Sequence, residues 1–151
     1  MTAEESRRRL SDAVNAVNIF GRSPKLDALY VEQAGVDLNP AAFRVLLQIV
    51  EHGPVELGRL ARIAQVAPNA LSRQVKLLEE GGYIERSAHP NDGRVSIVAA
   101  TDSGEKAARL IDEASERMLS RQLRGWTIAE LDHLSAQLER LVTDLRRPVE
   151  P

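Results

Sequence analysis

The sequence predicts a mostly helical fold carrying one small β-hairpin, and three observations carry that prediction. Apolar residues recur at three- and four-residue spacing through most of the chain. Pro40 and Pro68 each open such a stretch, while Gly53 and Gly81-Gly82 close two of them. Between Tyr83 and Thr101 the rhythm changes: β-branched or alternating flanks surround "AHPNDG", which is loop chemistry.

The elements follow in order. Leu10, Val14 and Val17 recur at helical spacing behind Glu4 and Glu5, an acidic start suited to a helix N-terminus. "GRSP" at Gly21–Pro24 bends or breaks that helix before "KLDALYVEQAG" resumes it. In "NPAAFRVLLQIVEHG", Asn39 is placed as N-cap, Pro40 in the first turn and Gly53 past the end. A short helix over roughly Glu56 to Ala64 puts Leu57, Leu60, Ala61 and Ala64 on one face. Pro68 then opens a helix ending at Gly81-Gly82. Helix, tight turn, helix is helix-turn-helix spacing. Thr101 caps a further helix through Ala107, Leu110, Ile111, Ala114 and Met118. After "RGWT", Thr127 and Glu130 form a capping box for the last helix.

Composition narrows the functional classes. The chain has 151 residues, 43% of them hydrophobic, enough for one ordinary core. It contains no cysteine, which removes disulfides, thiol sensing and thiolate–metal chemistry. No apolar run approaches the ~20 residues of a membrane span, and the opening residues lack a signal peptide's apolar region, so a cytoplasmic protein is expected. The net charge of −2 announces no polyanion partner, so a nucleic-acid footprint has to be local. His52, His89 and His133 show no ligand-like spacing. No nucleophile elbow or phosphate-binding glycine loop is present, and the adjacent Glu79-Glu80 is unsuited to acid–base work. Neither a catalytic constellation, a metal site nor a cofactor is predicted.

The helix from Pro68 carries the most information. At about 100° per residue, Leu71, Val75 and Leu78 fall on one side. Asn69, Ser72, Arg73 and Lys76 gather opposite, a row of donors able to reach base edges and phosphates. No acidic residue interrupts the row, since Glu79 and Glu80 lie beyond it. Taken alone, the row reads equally well as a solvated helix face. The hairpin behind it shifts that balance, because a helix-turn-helix followed by a β-hairpin is a winged helix. Arg86 and His89 lie on the strand entering the wing and Arg94 begins the strand leaving it. A wing beside a major-groove helix meets the neighbouring minor groove, where the focused negative potential favours arginine. Arg94 is therefore expected to read that groove, oriented by a charge-assisted hydrogen bond that it donates to Asp92. An exposed Asp92–Arg94 ion pair is the plainer alternative.

These residues resemble a known family. Asp92-Gly93-Arg94, an apolar strand ending at Thr101, and then Asp102-Ser103-Gly104 is similar to the signature of the MarR family of bacterial transcription regulators. That pattern is an Asp, any residue, an Arg, and several residues ending in Leu-Thr; here Ala100 stands in the leucine's place. The helix-turn-helix "VELGRLARIAQVAPNALSRQVKLLEEGGYIERS" matches the family's core, although Ala67 occupies a position that commonly holds a capping Ser or Thr. The resemblance spans essentially the whole chain. It implies a homodimeric winged-helix repressor or activator of transcription whose affinity for double-stranded DNA a small ligand lowers.

The domain reading follows. Residues 39–101 form the DNA-binding winged helix, flanked by dimerisation helices in 1–38 and 102–151. Leu131, Leu134, Leu138, Leu141 and Leu145 make a narrow heptad seam suited to another helix. That seam could also pack inside its own protomer. In a dimer, two recognition helices ~34–36 Å apart address an inverted repeat, with phosphate contacts from Arg59, Arg62, Arg73, Lys76 and Arg86. The resemblance implies a ligand pocket between the dimerisation helices and the winged helix. Phe20, Tyr30, Phe43 and Trp126 are the large rings that could line it or simply fill the core, and the implied effector is an aromatic acid or another small lipophilic anion. Two other classes stay open: a winged-helix protein-interaction module without DNA binding, and an enzyme with a site invisible to motifs. The first would favour apolar or aromatic residues where Asn69, Ser72, Arg73 and Lys76 stand.

Overall fold

A computed structural model describes residues 2–147. Its elements are α1 (Ala3–Gly21), α2 (Pro24–Ala34), α3 (Pro40–His52), β1 (Val55–Glu56), α4 (Leu57–Ala64), α5 (Pro68–Glu80), β2 (Ile84–His89), β3 (Asp92–Ala100), α6 (Asp102–Gln122) and α7 (Ile128–Leu145). The chain divides into two compact units, Met1–Ser115 and Glu116–Pro151.

In the first unit, local chemistry sets most boundaries. Thr2 and Glu5 form a reciprocal capping box on α1. The Asn39 side chain accepts the Ala42 N–H at 2.8 Å, and Pro40 fills the first turn of α3, where a missing N–H costs nothing. "GRSP" separates α1 from α2, with Ser23 as the N-cap residue of α2. The α4–α5 turn contains Gln65 at φ 53°, the one non-glycine residue in the left-handed region among the described residues. Such a position is sterically costly for a side chain bearing Cβ.

The core of this unit centres on α3, α5 and the sheet. Leu46, Ile49, Leu60, Val75, Leu78 and Val98 are fully enclosed. A second cluster joins Val31 of α2, Phe43 of α3 and Ile111 of α6. The sheet has three antiparallel strands in the order β1-β3-β2, with Val55 opposite Val98 and Arg86 opposite Val98 from the other side. The sequence foresees the β2–β3 hairpin. It does not foresee β1, whose two residues pair with the wing root just before α4.

The step from sheet to α6 is unusually close. The Thr101 hydroxyl donates to the Gly82 carbonyl at 2.6 Å and accepts the Gly104 N–H at 3.2 Å. A Cβ placed on Gly104 would lie 2.0 Å from the Tyr83 carbonyl oxygen, so only glycine fits there. Thr101 and Gly104 thereby lock the start of α6 to the chain entering the wing.

The second unit contains the end of α6 and all of α7. Glu130 accepts the Thr127 N–H at 2.7 Å and the Thr127 hydroxyl at 2.8 Å, while Thr127 accepts the Glu130 N–H at 3.3 Å. This is the capping box read from the sequence, and those Thr127 donors, backbone first, hold the Glu130 carboxyl below its ordinary 4.5. No residue of α7 is buried, and Leu138 stands 47% exposed.

Candidate nucleic-acid interface

The α5 helix positions the polar row. Leu71, Val75 and Leu78 anchor it in the core, which leaves Asn69, Ser72, Arg73 and Lys76 exposed on the other side. Pro68 occupies the first turn and Ala67 caps the helix without a side-chain hydrogen bond, so the first N–H groups of α5 stay free for a phosphate. The Ser72 hydroxyl donates to the Pro68 carbonyl at 2.9 Å.

Two cations of the interface are engaged. Lys76 Nζ lies 3.6 Å from Glu80, and Arg86 Nη2 lies 3.4 Å from Glu79. Glu79 and Glu80 lie beyond the row in sequence, as expected, but one helical turn brings Glu80 beside Lys76. Both pairs are exposed, so solvent leaves them worth about 0–1 kcal/mol each, and a phosphate can displace the carboxylates. Among the described residues no ion pair involves Arg59, Arg62, Arg73 or Arg94.

The wing tip is a tight connection. His89 pairs with Asp92 across Pro90-Asn91, after a register irregularity at Ala88–His89. His89 Nδ1 accepts the Asn91 N–H at 3.1 Å, and its Nε2 faces Glu56 at 3.7 Å. Asp92 plays a different part from the one its neighbourhood suggested. Its carboxylate accepts the backbone N–H of Arg94 at 3.0 Å, and no ion pair joins it to the guanidinium. A short carboxylate on a tight turn is best placed for the N–H two residues on. Asp92 therefore shapes the turn, and the exposed Arg94 side chain is left to reach outward.

Behind α5 lies a cavity of about 690 Å³. Tyr30 and Phe43 line it; Phe20 does not, standing 54% exposed on α1. Trp126 lies in the second unit beside Leu134 and His133. Sequence reading missed the cavity's polar members. Buried Asp27 of α2 accepts from Arg44 Nε of α3, and Arg44 Nη2 donates to the Gly21 carbonyl at 3.2 Å. Gln74 of α5 also lines it.

Comparison with known proteins bears on this arrangement. The family model of the MarR family matches residues 38–96, the segment from the start of α3 into the wing. An uncharacterized HTH-type transcriptional regulator of Bacillus cereus is 31% identical over 113 residues, covering 75% of this chain and 70% of that protein. The chain belongs to the MarR family. The multiple antibiotic resistance protein MarR of Escherichia coli is 28% identical over 134 residues, covering 82% of this chain and 93% of that protein. The crystal structure of RV1404 from Mycobacterium tuberculosis is 27% identical, with a TM-score of 0.74 over 99% of this chain and all of that one. This MarR-family chain is a winged-helix, DNA-binding transcription regulator. No helix among its described residues is long and apolar enough to cross a membrane.

Proposed function

We propose that the chain works as a cytoplasmic homodimeric repressor, without enzymatic activity, which grips an inverted-repeat operator and lets go when a small aromatic or lipophilic effector binds. One observation carries the DNA reading above all: α5 shows solvent four hydrogen-bonding side chains, Asn69, Ser72, Arg73 and Lys76, with half-exposed Leu77 the apolar residue at their edge. Pro68, Asn69, Ser72, Arg73 and Lys76 would enter the major groove, Arg86 and His89 would meet the backbone, and Arg94 the minor groove, on a turn shaped by Asp92.

The dimer reading rests on unmet apolar surface. Leu10, Val14, Val17 and Phe20 of α1 and Leu134, Leu138, Val142 and Leu145 of α7 are all exposed. Clustered apolar faces of this kind mark association surfaces. Residues 1–38 and 102–151 would supply them, leaving 39–101 to DNA. Binding of labelled duplex from upstream of the chain's own gene, followed by fluorescence anisotropy, tests the reading. Sequence-specific, salt-sensitive binding is expected; its absence would favour a winged-helix protein-interaction module without DNA binding.

A further inference from the structure

The end of α5 and the start of α6 are joined by a short chain of hydrogen bonds. The Tyr83 N–H donates to the Leu78 carbonyl at 2.9 Å, which ties the last turn of α5 to the head of β2. The Tyr83 carbonyl in turn accepts the Thr101 N–H at 3.1 Å. Beside it the Thr101 hydroxyl works in both directions, donating to the Gly82 carbonyl at 2.6 Å and accepting the Gly104 N–H at 3.2 Å. Gly104 is buried against the Tyr83 carbonyl with no room for a Cβ.

Capping α6 asks less of Thr101 than this. A cap needs only an acceptor for the Gly104 N–H. The donation to Gly82 adds nothing to the helix itself; it ties the helix to the chain leaving α5. Farther along, Ala107 and Ile111 hold α6 to the core through apolar contact, which has no preferred direction. A hydrogen bond does have preferred angles, so the bonds at Thr101 fix the tilt. Tilt matters because α6 has 21 residues, a length of about 31 Å at ~1.5 Å per residue. A change of about 5° at its start displaces its far end by about 3 Å, close to the ~3.4 Å rise of one base-pair step.

We propose that Thr101 is a positioning residue for operator recognition: its hydroxyl, bridging Gly82 and Gly104, sets the angle between α5 and α6, and so the spacing at which two protomers offer their α5 helices to DNA. This rests on the dimer proposed above, in which α6 belongs to the association helices. Thr101 follows β3 at the end away from the wing tip, so it acts through α5 and α6 and not by touching DNA. Each protomer's reading of its own half-site is left alone, because Asn69, Ser72, Arg73 and Lys76 keep their places on α5. What the bridge decides is whether both half-sites are met at once.

Fluorescence anisotropy on the full chain tests this with two duplexes, the inverted repeat intact and the same repeat with one half-site scrambled. Thr101→Ser keeps both hydroxyl bonds and should bind like the wild type. Thr101→Val removes both. Thr101→Asp keeps an acceptor for the Gly104 N–H, and with it the cap, but loses the donor to Gly82. The valine and aspartate variants should each weaken binding to the intact repeat about tenfold, the worth of about one hydrogen bond, and leave the scrambled duplex within about twofold. Sedimentation should show both still dimeric. Wild-type affinity of Thr101→Asp for the intact repeat overturns the proposal, since capping alone would then suffice. An equal loss on both duplexes overturns it too, because that is local damage to the winged helix. If the valine variant melts early, the aspartate variant decides by itself. A wild-type chain that binds both duplexes alike removes the dimer reading, and the role of Thr101 with it.

Discussion

Replacing Arg94 by alanine removes the wing's exposed guanidinium while leaving the turn that presents it. Asp92 accepts the backbone N–H of residue 94, and alanine keeps that N–H. No ion pair is lost, so folding stability should stay within about 0.5 kcal/mol, the usual range for an unremarkable surface change. DNA binding should behave otherwise. One cation lost per protomer is two per dimer, and at about 0.9 per phosphate contact the slope of log K against log salt should flatten by ~1.8. Between 50 and 200 mM salt the variant's deficit therefore shrinks roughly twelvefold, from a loss of about a hundredfold at 50 mM to about tenfold at 200 mM. Anisotropy titrations at several salt concentrations, with melting curves as a folding control, read both quantities. Unchanged affinity with an unchanged slope would refute the assignment of Arg94 to the groove.

Other consequences follow from particular contacts. Neutralising Glu79 and Glu80 together as glutamines frees Arg86 and Lys76 and removes four carboxylates per dimer from beside the phosphates. Operator affinity should rise roughly three- to tenfold at low salt, and no change would place these cations away from DNA. Gly104→Ala drives a Cβ to within 2.0 Å of the Tyr83 carbonyl, so the melting temperature should fall by about 5 °C or more, as overpacking of a few kcal/mol implies. An unshifted melt would contradict the contact. Glu130 titrates below its ordinary 4.5 in the folded chain. The α7 cap it forms is present above its unfolded value and is lost as pH falls through the lower folded value. Carboxyl chemical shifts followed by NMR should show that midpoint below 4.5, and Thr127→Val should raise it.

Much of the fold was legible because its signals are local. Asn39 with Pro40, Thr127 with Glu130, and the loop chemistry of Pro90 to Gly93 each act within a few residues, and the structure carries all three. Helical spacing likewise separated Leu71, Val75 and Leu78 from Asn69, Ser72, Arg73 and Lys76. What stayed hidden depends on distance or on marginal position. A two-residue strand such as β1 has no periodicity to read. Asp27 and Arg44 are 17 residues apart, and only the packing of α2 on α3 joins them. Gln74 sits at the border between the polar and apolar faces of α5, where spacing does not decide which way an amide turns. Adjacency to a cation suggests an ion partner for Asp92, whereas the turn offers its carboxylate a nearer backbone donor, the Arg94 N–H.

Two α5 helices presented one turn of duplex apart is the claim from which the rest descends. A series of operators in which five base pairs are inserted between the half-sites tests it directly, because half a turn places the second site on the opposite side of the DNA. Affinity is predicted to drop to that of an isolated half-site, roughly a hundredfold or more, and to stay there when ten base pairs are inserted, because the second half-site then lies a further ~34 Å along the axis. Equal affinity for all three duplexes would contradict a rigid pair of recognition helices.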